Sequence, residues 1–231
     1  MYTVDKSFIL NTSVPTQTRT YKPISHGQLI DLSLNSLNEA GFQLEKSIYS
    51  SSNEGKQATG RYIISNIADS DMKLMMGWQN SYDKKLSLKF AIGASIIICE
   101  NGSCKGDIGY FKKKHIGEVQ EFTPKNIPEF IKKAQDIFEE MQKEKERLKQ
   151  IEISKRIQGE LLGRMFIDDA IITSTQLNII KREIENPSYN YNIPGSAWEL
   201  YNHCTHALKE DHPAYYFSRH KDVYNFFENN I

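Results

Sequence analysis

The stretch densest in potential chemistry is Gly77-Trp78-Gln79-Asn80-Ser81-Tyr82-Asp83-Lys84-Lys85. Trp78 and Tyr82 offer flat faces for a nucleobase, Gln79 and Asn80 carry amides that can meet base edges, and Lys84 and Lys85 can meet phosphates. A second basic run, Lys112-Lys113-Lys114-His115, follows Tyr110-Phe111. With Lys84, Lys85, Lys89 and Lys105 it makes the region from 80 to 115 locally positive, although the whole chain has a formal charge of +0. Rings interleaved with cations on a β surface are what a single strand of nucleic acid requires. The plainer interpretation of the same residues is a well-packed hairpin end, with Trp78 in the core and the lysines in a solvated loop.

Other candidates are less pointed. Cys99 and Cys104 flank Asn101-Gly102, and a zinc site there would have to recruit His115, or His203, Cys204 and His206, from distant segments. Without a tight Cys-x-x-Cys pair, Cys99 at the end of an apolar run reads as core, and no metal is expected. Cys204 and His206 are two residues apart, which on a helix points them to different faces. Asp168-Asp169 and Glu183/Glu185 could hold a divalent ion for a nuclease, yet solvent-facing helices carry such acids routinely. P-loop, GxGxxG, HExxH and GxSxG motifs are absent from the sequence. No catalytic residue and no cofactor is therefore assigned.

The elements that must position these residues can be read from periodicity. Residues 1–25, with Pro15, Pro23 and many Thr and Ser, read as an extended arm with one strand at Lys6–Leu10. Leu29, Ile30, Leu32, Leu34, Leu37 and Ala40 recur at helical spacing from His26, and Gly41 stops the helix. Strands are expected at Phe42–Ser50, Gln57–Ser65 after the turn signal Asn53-Glu54-Gly55, Lys73–Asn80 and Ser87–Glu100. The run Ala94–Cys99 has the composition of a central buried strand, Asn101-Gly102 that of a tight turn, and Gly106–Phe111 that of a fifth short strand. Asn126 then reads as a helix cap with Pro128 and Glu129 behind it. Its apolar stripe runs through Ile127, Phe130, Ala134, Phe138, Met141, Leu148 and Ile151, interrupted by Lys145, and the polar run 142–150 suggests a helix that projects or bridges. Further helices are expected at Gly159–Ile172, Thr175–Glu185, Ser196–Leu208 and His220–Glu228. Four or five closely spaced strands without helices between them imply an antiparallel meander, so the class is α+β. The division is an arm over 1–25, a β-rich lobe over 26–122 and a helical lobe over 123–231, packed as one unit.

Composition sets the outer limits. The 231 residues are 39% hydrophobic and 25% charged, ordinary values for a globular chain able to bury a sizeable core. The charge balance excludes a strongly basic binder at the level of the whole molecule but leaves room for a basic face. No apolar run is long enough to cross a membrane, the first residues lack a signal-peptide core, and three cysteines make no disulfide framework. The expected compartment is the cytoplasm.

Three stretches carry a family resemblance. They are Ala40-Gly41-Phe42, Gly77 to Lys84, and Phe90-Ala91-Ile92-Gly93-Ala94 running into Ile98-Cys99-Glu100-Asn101-Gly102. With Ser196-Ala197-Trp198-Glu199-Leu200-Tyr201-Asn202-His203-Cys204-Thr205 and His212-Pro213, they resemble the phage- and plasmid-borne family called domain of unknown function 932. Gln79 stands where that family often has Arg, and Lys85 where it often has Ser. The resemblance implies a mobile-element protein and leaves its mechanism open. The element order is also similar to the β-β-β-α core of Rad52-like single-strand annealing proteins of phages, an analogy of layout only.

The expectation is a protein that binds single-stranded DNA or RNA, with annealing by a homo-oligomer as its fuller form. Its contacts would be Trp78, Asn80, Tyr82, Lys84, Lys85, Lys89, Lys112, Lys113 and Lys114. The alternative is a host-takeover or counter-defence protein that holds a bacterial protein or a nucleotide signal in a closed aromatic pocket around Trp78 and Tyr82.

Overall fold

The computed structural model describes the chain except for residues 1, 100, 106–108, 117–118, 192 and 211. An antiparallel sheet occupies the N-terminal half and helices dominate the rest, as the patterning implies. The strands are β1 (Tyr2–Val4), β2 (Leu44–Ser52), β3 (Gln57–Ala68), β4 (Met72–Ser81), β5 (Leu88–Ile96), β6 (Gly102–Cys104) and β7 (Tyr110–Lys113). Their order is β1-β2-β3-β4-β5-β6, with β7 also paired to β5. Sequence patterning anticipates β2 to β5 as neighbours in chain order. It misses β1 and β6, and it places the fifth strand at 106–111, of which 106–108 lie outside the described residues.

Alternation along β3 to β5 gives the sheet two buried faces. Tyr62, Met76, Trp78, Phe90, Ile92 and Ala94 point to the inner side, into one large apolar cluster. That cluster also holds Leu29 of α2 (His26–Glu39), Ile127 of α3 (Val119–Lys132), Phe138 of α4 (Ala134–Gln150) and Tyr201 of α7 (Ala197–Ala207). On the outer side Met75, Ala91 and Cys104 meet Phe217, near the start of α8 (Tyr216–Asn230). Two glycines make this packing possible. A Cβ on Gly60 would run into the Trp78 indole, and one on Gly77 would run into the Phe217 ring. The two sit side by side in the β3–β4 ladder, since Gly60 pairs with Trp78 and Arg61 with Gly77.

Several expectations are corrected. Lys6–Leu10 is a short helix, α1, with Ile9 buried, and β1 precedes it. The helix expected to start at Asn126 is two helices: α3 is already helical from Val119, so Asn126 does not cap it, and a break at Lys133 separates it from α4. Of the two placements expected for the polar run, α4 does not project but bridges, packing on β4 and β5 and on α7. Lys145, the polar interruption in its stripe, is buried with its ammonium 2.7 Å from Asp69 and 2.9 Å from Asp71, in the turn between β3 and β4. Lys149 adds a 2.7 Å contact to Asp71. Burial alone would raise the Asp71 carboxyl, but the ammoniums of Lys149 and Lys145 outweigh it and hold it at about 2. Of the remaining helices, α6 (Ser174–Glu185) and α7 match their expected bounds to within a residue, whereas α5 (Lys155–Gly163, running on into one wide π turn to Asp168) starts and ends four residues before the expected Gly159–Ile172, and α8 starts four residues before His220. Thr173 and Ser196 cap α6 and α7 through their hydroxyls.

The apolar run Ala94–Cys99 is the sharpest correction. β5 ends at Ile96, and the chain turns over residues 97–99. Cys99 is buried, but Ile97 and Ile98 are 42% and 47% exposed. Asn101 does not form the turn expected of Asn-Gly. It sits at the foot of β6 with its amide donating to the Asn202 carbonyl at 3.2 Å and to Thr205 Oγ1 at 3.3 Å. Urea unfolding should separate the two neighbours: Ile96→Asp buries an unpaired carboxylate and costs several kcal/mol, whereas Ile97→Asp changes stability by about 0.5 kcal/mol or less. Equal destabilisation of the two variants would contradict the strand end at Ile96.

Candidate functional site

The segment singled out by its chemistry turns out to be a structural knot. Gly77 to Ser81 are the end of β4, one residue past the strand end expected at Asn80, and the chain reverses over residues 82–86. Trp78 is fully buried, its Nε1 donating to the Tyr62 hydroxyl at 3.0 Å. The Asn80 amide donates to the Ile24 carbonyl at 2.8 Å and lies 2.9 Å from His26 Nδ1. Tyr82 stacks on the His26 ring at 3.9 Å and 15°, and its hydroxyl accepts the His26 backbone N–H at 2.7 Å. His26 Nε2 is 3.0 Å from the Gly55 carbonyl, which can only accept. The proton is therefore on Nε2, and Nδ1 accepts from Asn80. Asp83 closes the arrangement by accepting from Gln57 at 2.7 Å and from Asn53 at 3.0 Å. Trp78, Asn80 and Tyr82 thus offer no open face or edge to a base, and no aromatic pocket opens between them.

The cations fare differently. β7 runs antiparallel to β5 with Leu88 opposite Lys113 and Lys89 opposite Lys112. This register carries Lys112, Lys113 and Lys114 to the end of the sheet where the turn presents Lys84 and Lys85. Lys84, Lys85, Lys112 and Lys114 are exposed, and Lys113 is half-buried. Lys84 adopts a left-handed backbone at φ 63° and holds its ammonium 4.8 Å above the Tyr21 ring. Lys22 joins the same end through its backbone N–H, which donates to the His115 carbonyl at 2.9 Å. Lys89, by contrast, is buried, with its ammonium 3.5 Å from the Ala214 carbonyl. Burial, helped by repulsion from Lys112, pushes its pKa down to about 8. That contact brings the Pro213–Tyr215 turn to the basic end, and with it Tyr215, a residue 55% exposed.

A second feature lies on the outer face of the sheet, under the start of α8. It is a cleft of about 450 Å³ lined by Arg61 of β3, Ser95, Tyr189, Lys209, Tyr216 and His220 among others. The Arg61 guanidinium lies 4.6 Å from the Tyr216 ring centre, and the Lys209 ammonium 5.3 Å from that of Tyr189. Lys209 also donates to the Cys99 carbonyl at 2.5 Å, which holds its ammonium at the cleft. No carboxylate among the described residues lines it.

Compared with protein-family models, residues 16–225 match the domain of unknown function DUF932. The chain belongs to that family. No curated protein and no solved structure matches it. The stretches that carried the resemblance now have positions in this DUF932 chain: Gly77–Lys84 is the knot, Phe90–Ala94 lies in β5, and Ser196–Thr205 is capped α7.

The three cysteines of this DUF932 chain are free and buried. Cys104 and Cys204 are wholly buried, which pushes the Cys104 thiol up to about 12 and the Cys204 thiol further still, away from the reactive thiolate. Among the described residues no three His, Cys, Asp or Glu side chains stand together as a metal site. Glu183 accepts from Ser188 and faces His206 at 3.7 Å. Sequence patterning missed Tyr215 and the cleft. The one available signal for the cleft was a lone Arg61 inside an otherwise apolar and small-residue strand; Lys209 and His220 are too distant in sequence for any spacing to join them.

His26 supplies a pH dependence. Burial lowers its imidazole to about 4, outweighing the opposite pull of its bond to Gly55. The folded state then resists a proton that the unfolded chain accepts near pH 6.5. The sign follows: the knot's contribution is complete above that value and is lost as pH falls toward 4, by about 3 kcal/mol at most. Urea midpoints from pH 7 to 4 should fall, with net proton uptake on unfolding; flat midpoints across that range would contradict a neutral, doubly bonded His26.

Proposed function

We propose that this chain binds a single strand of nucleic acid by its phosphates along the basic end of the sheet, and performs no covalent chemistry there. The observation that supports this most is the β5–β7 register, which gathers Lys112, Lys113 and Lys114 beside Lys84 and Lys85 although 26 residues or more separate the two groups in sequence. A neutral protein with a local cluster of exposed cations attracts a polyanion to one face only. Phosphate contacts need no catalytic side chain and no cofactor. The stacking ring in this proposal is Tyr215, because Trp78 and Tyr82 are taken up by the knot. Lys89 acts indirectly, holding the Pro213–Tyr215 turn in place from within. Annealing of complementary strands, and the assembly of several copies that it would use, are the fuller form of the same proposal in a mobile-element setting.

Two kinds of contact respond differently to salt. Removing one lysine–phosphate pair lowers the slope of log affinity against log salt by about 0.7 for a single strand. Removing a stacked ring costs ~1–3 kcal/mol at every salt concentration with little change of slope. Fluorescence anisotropy with a labelled single-stranded oligonucleotide should therefore show a flatter salt dependence for Lys112→Ala combined with Lys114→Ala. Tyr215→Ala should show a parallel, weaker line. Absence of binding at micromolar protein and low salt would dispose of the proposal.

A further inference from the structure

The cleft on the outer face of the sheet is a second candidate, separate from the basic end. Its residues come from all strands from β2 to β6, the segment after α6, the turn after α7, and α8, so only the complete fold assembles it. Two cations, Arg61 and Lys209, enter it, and no carboxylate among the described residues offsets them there. His220 of α8 lines it from below, almost wholly buried, with its ring packed 4.4 Å from that of Tyr216 and its nitrogens closed to solvent. Burial, with Arg61 close by, pushes that imidazole down to about 3, so it is neutral and the charge at the cleft is that of Arg61 and Lys209. Hydroxyls of Ser50, Thr59 and Ser95 line the same space.

We infer that this cleft binds a small organic phosphate of nucleotide size, with Arg61 and Lys209 on the phosphate and the ligand's flat body between the apolar walls. The guanidinium fork and the ammonium suit a phosphate's several oxygens better than a single neutral group would. Ile48, Ile63 and Ile98 supply apolar wall, and the exposure of Ile98 has a purpose if a ligand covers it. The volume lies in the range of small-molecule sites. Such a ligand would occupy the cleft whether or not a nucleic-acid strand occupies the basic end.

Titration calorimetry of the full chain with adenosine, guanosine, cytidine and uridine monophosphates, and with inorganic phosphate, tests this. At least one nucleotide should bind with a dissociation constant well below roughly 1 mM, and inorganic phosphate about tenfold or more weaker. Arg61→Gln should weaken the nucleotide by about tenfold or more. Lys209→Gln should act in the same direction, and its exposed position makes it the safer variant if Arg61→Gln disturbs folding. Lys112→Ala with Lys114→Ala should leave nucleotide affinity unchanged, which separates this cleft from the basic end. No heat with any of the four nucleotides, or inorganic phosphate binding as tightly as the nucleotide, overturns the inference.

Discussion

The close approach of side chains to two glycines, one on each face of the sheet, is the constraint on which the rest of the structure depends. Gly60 makes room for Trp78 on the inner face, and Gly77 makes room for Phe217 on the outer. Trp78 in turn bonds Tyr62 and anchors the inner core. Phe217 fixes the start of α8 against the sheet, while the far end of that helix, at Phe226 and Phe227, returns to the inner core beside Tyr201. One helix thereby clamps both sides of the sheet. The outer cleft and the Pro213–Tyr215 turn exist because α8 begins where Gly77 lets it.

Polar groups are placed under a similar constraint. Asn80, Tyr82 and His26 bond one another and the backbone, and Asp83 bonds Gln57 and Asn53, so residue types that look suited to recognition are committed to holding β3, β4 and α2 together. Lys145 does the equivalent for α4, with Asp69 and Asp71 as its partners. Breaking one side of such a buried pair costs more than the pair itself contributes, because it strands the other charge. The basic end and the cleft differ from these networks in sign. Lys84 and Lys209 rest on rings, as Arg61 does, and a ring leaves a cation's charge uncancelled for an anionic ligand.

Much of this was legible from the sequence. The meander of β2 to β5, the stop at Gly41 and the later helices followed from periodicity and capping chemistry, which are local. Ala94–Cys99 misled because β-branched residues signal strand whether or not a partner is present; Ile97 and Ile98 lie past the end of β5, and the turn there is set by pairing between Ile96 and Asn101. Trp78, Asn80 and Tyr82 misled for a different reason. Stacking rings and hydrogen-bonding amides look the same in sequence whether their partner is a base or His26. The gathering of Lys112–Lys114 beside Lys84 was anticipated only as proximity in sequence; the register of β7 is what makes it geometry.

Amide hydrogen exchange with and without a saturating single-stranded oligonucleotide tests the central claim, that the basic end of the sheet is the working surface. The account predicts slowed exchange confined to residues 82–88, 112–116 and the turn at 213–215, with the buried strands unchanged. Protection confined to α5 and α6, or no protection at any salt concentration, would contradict it.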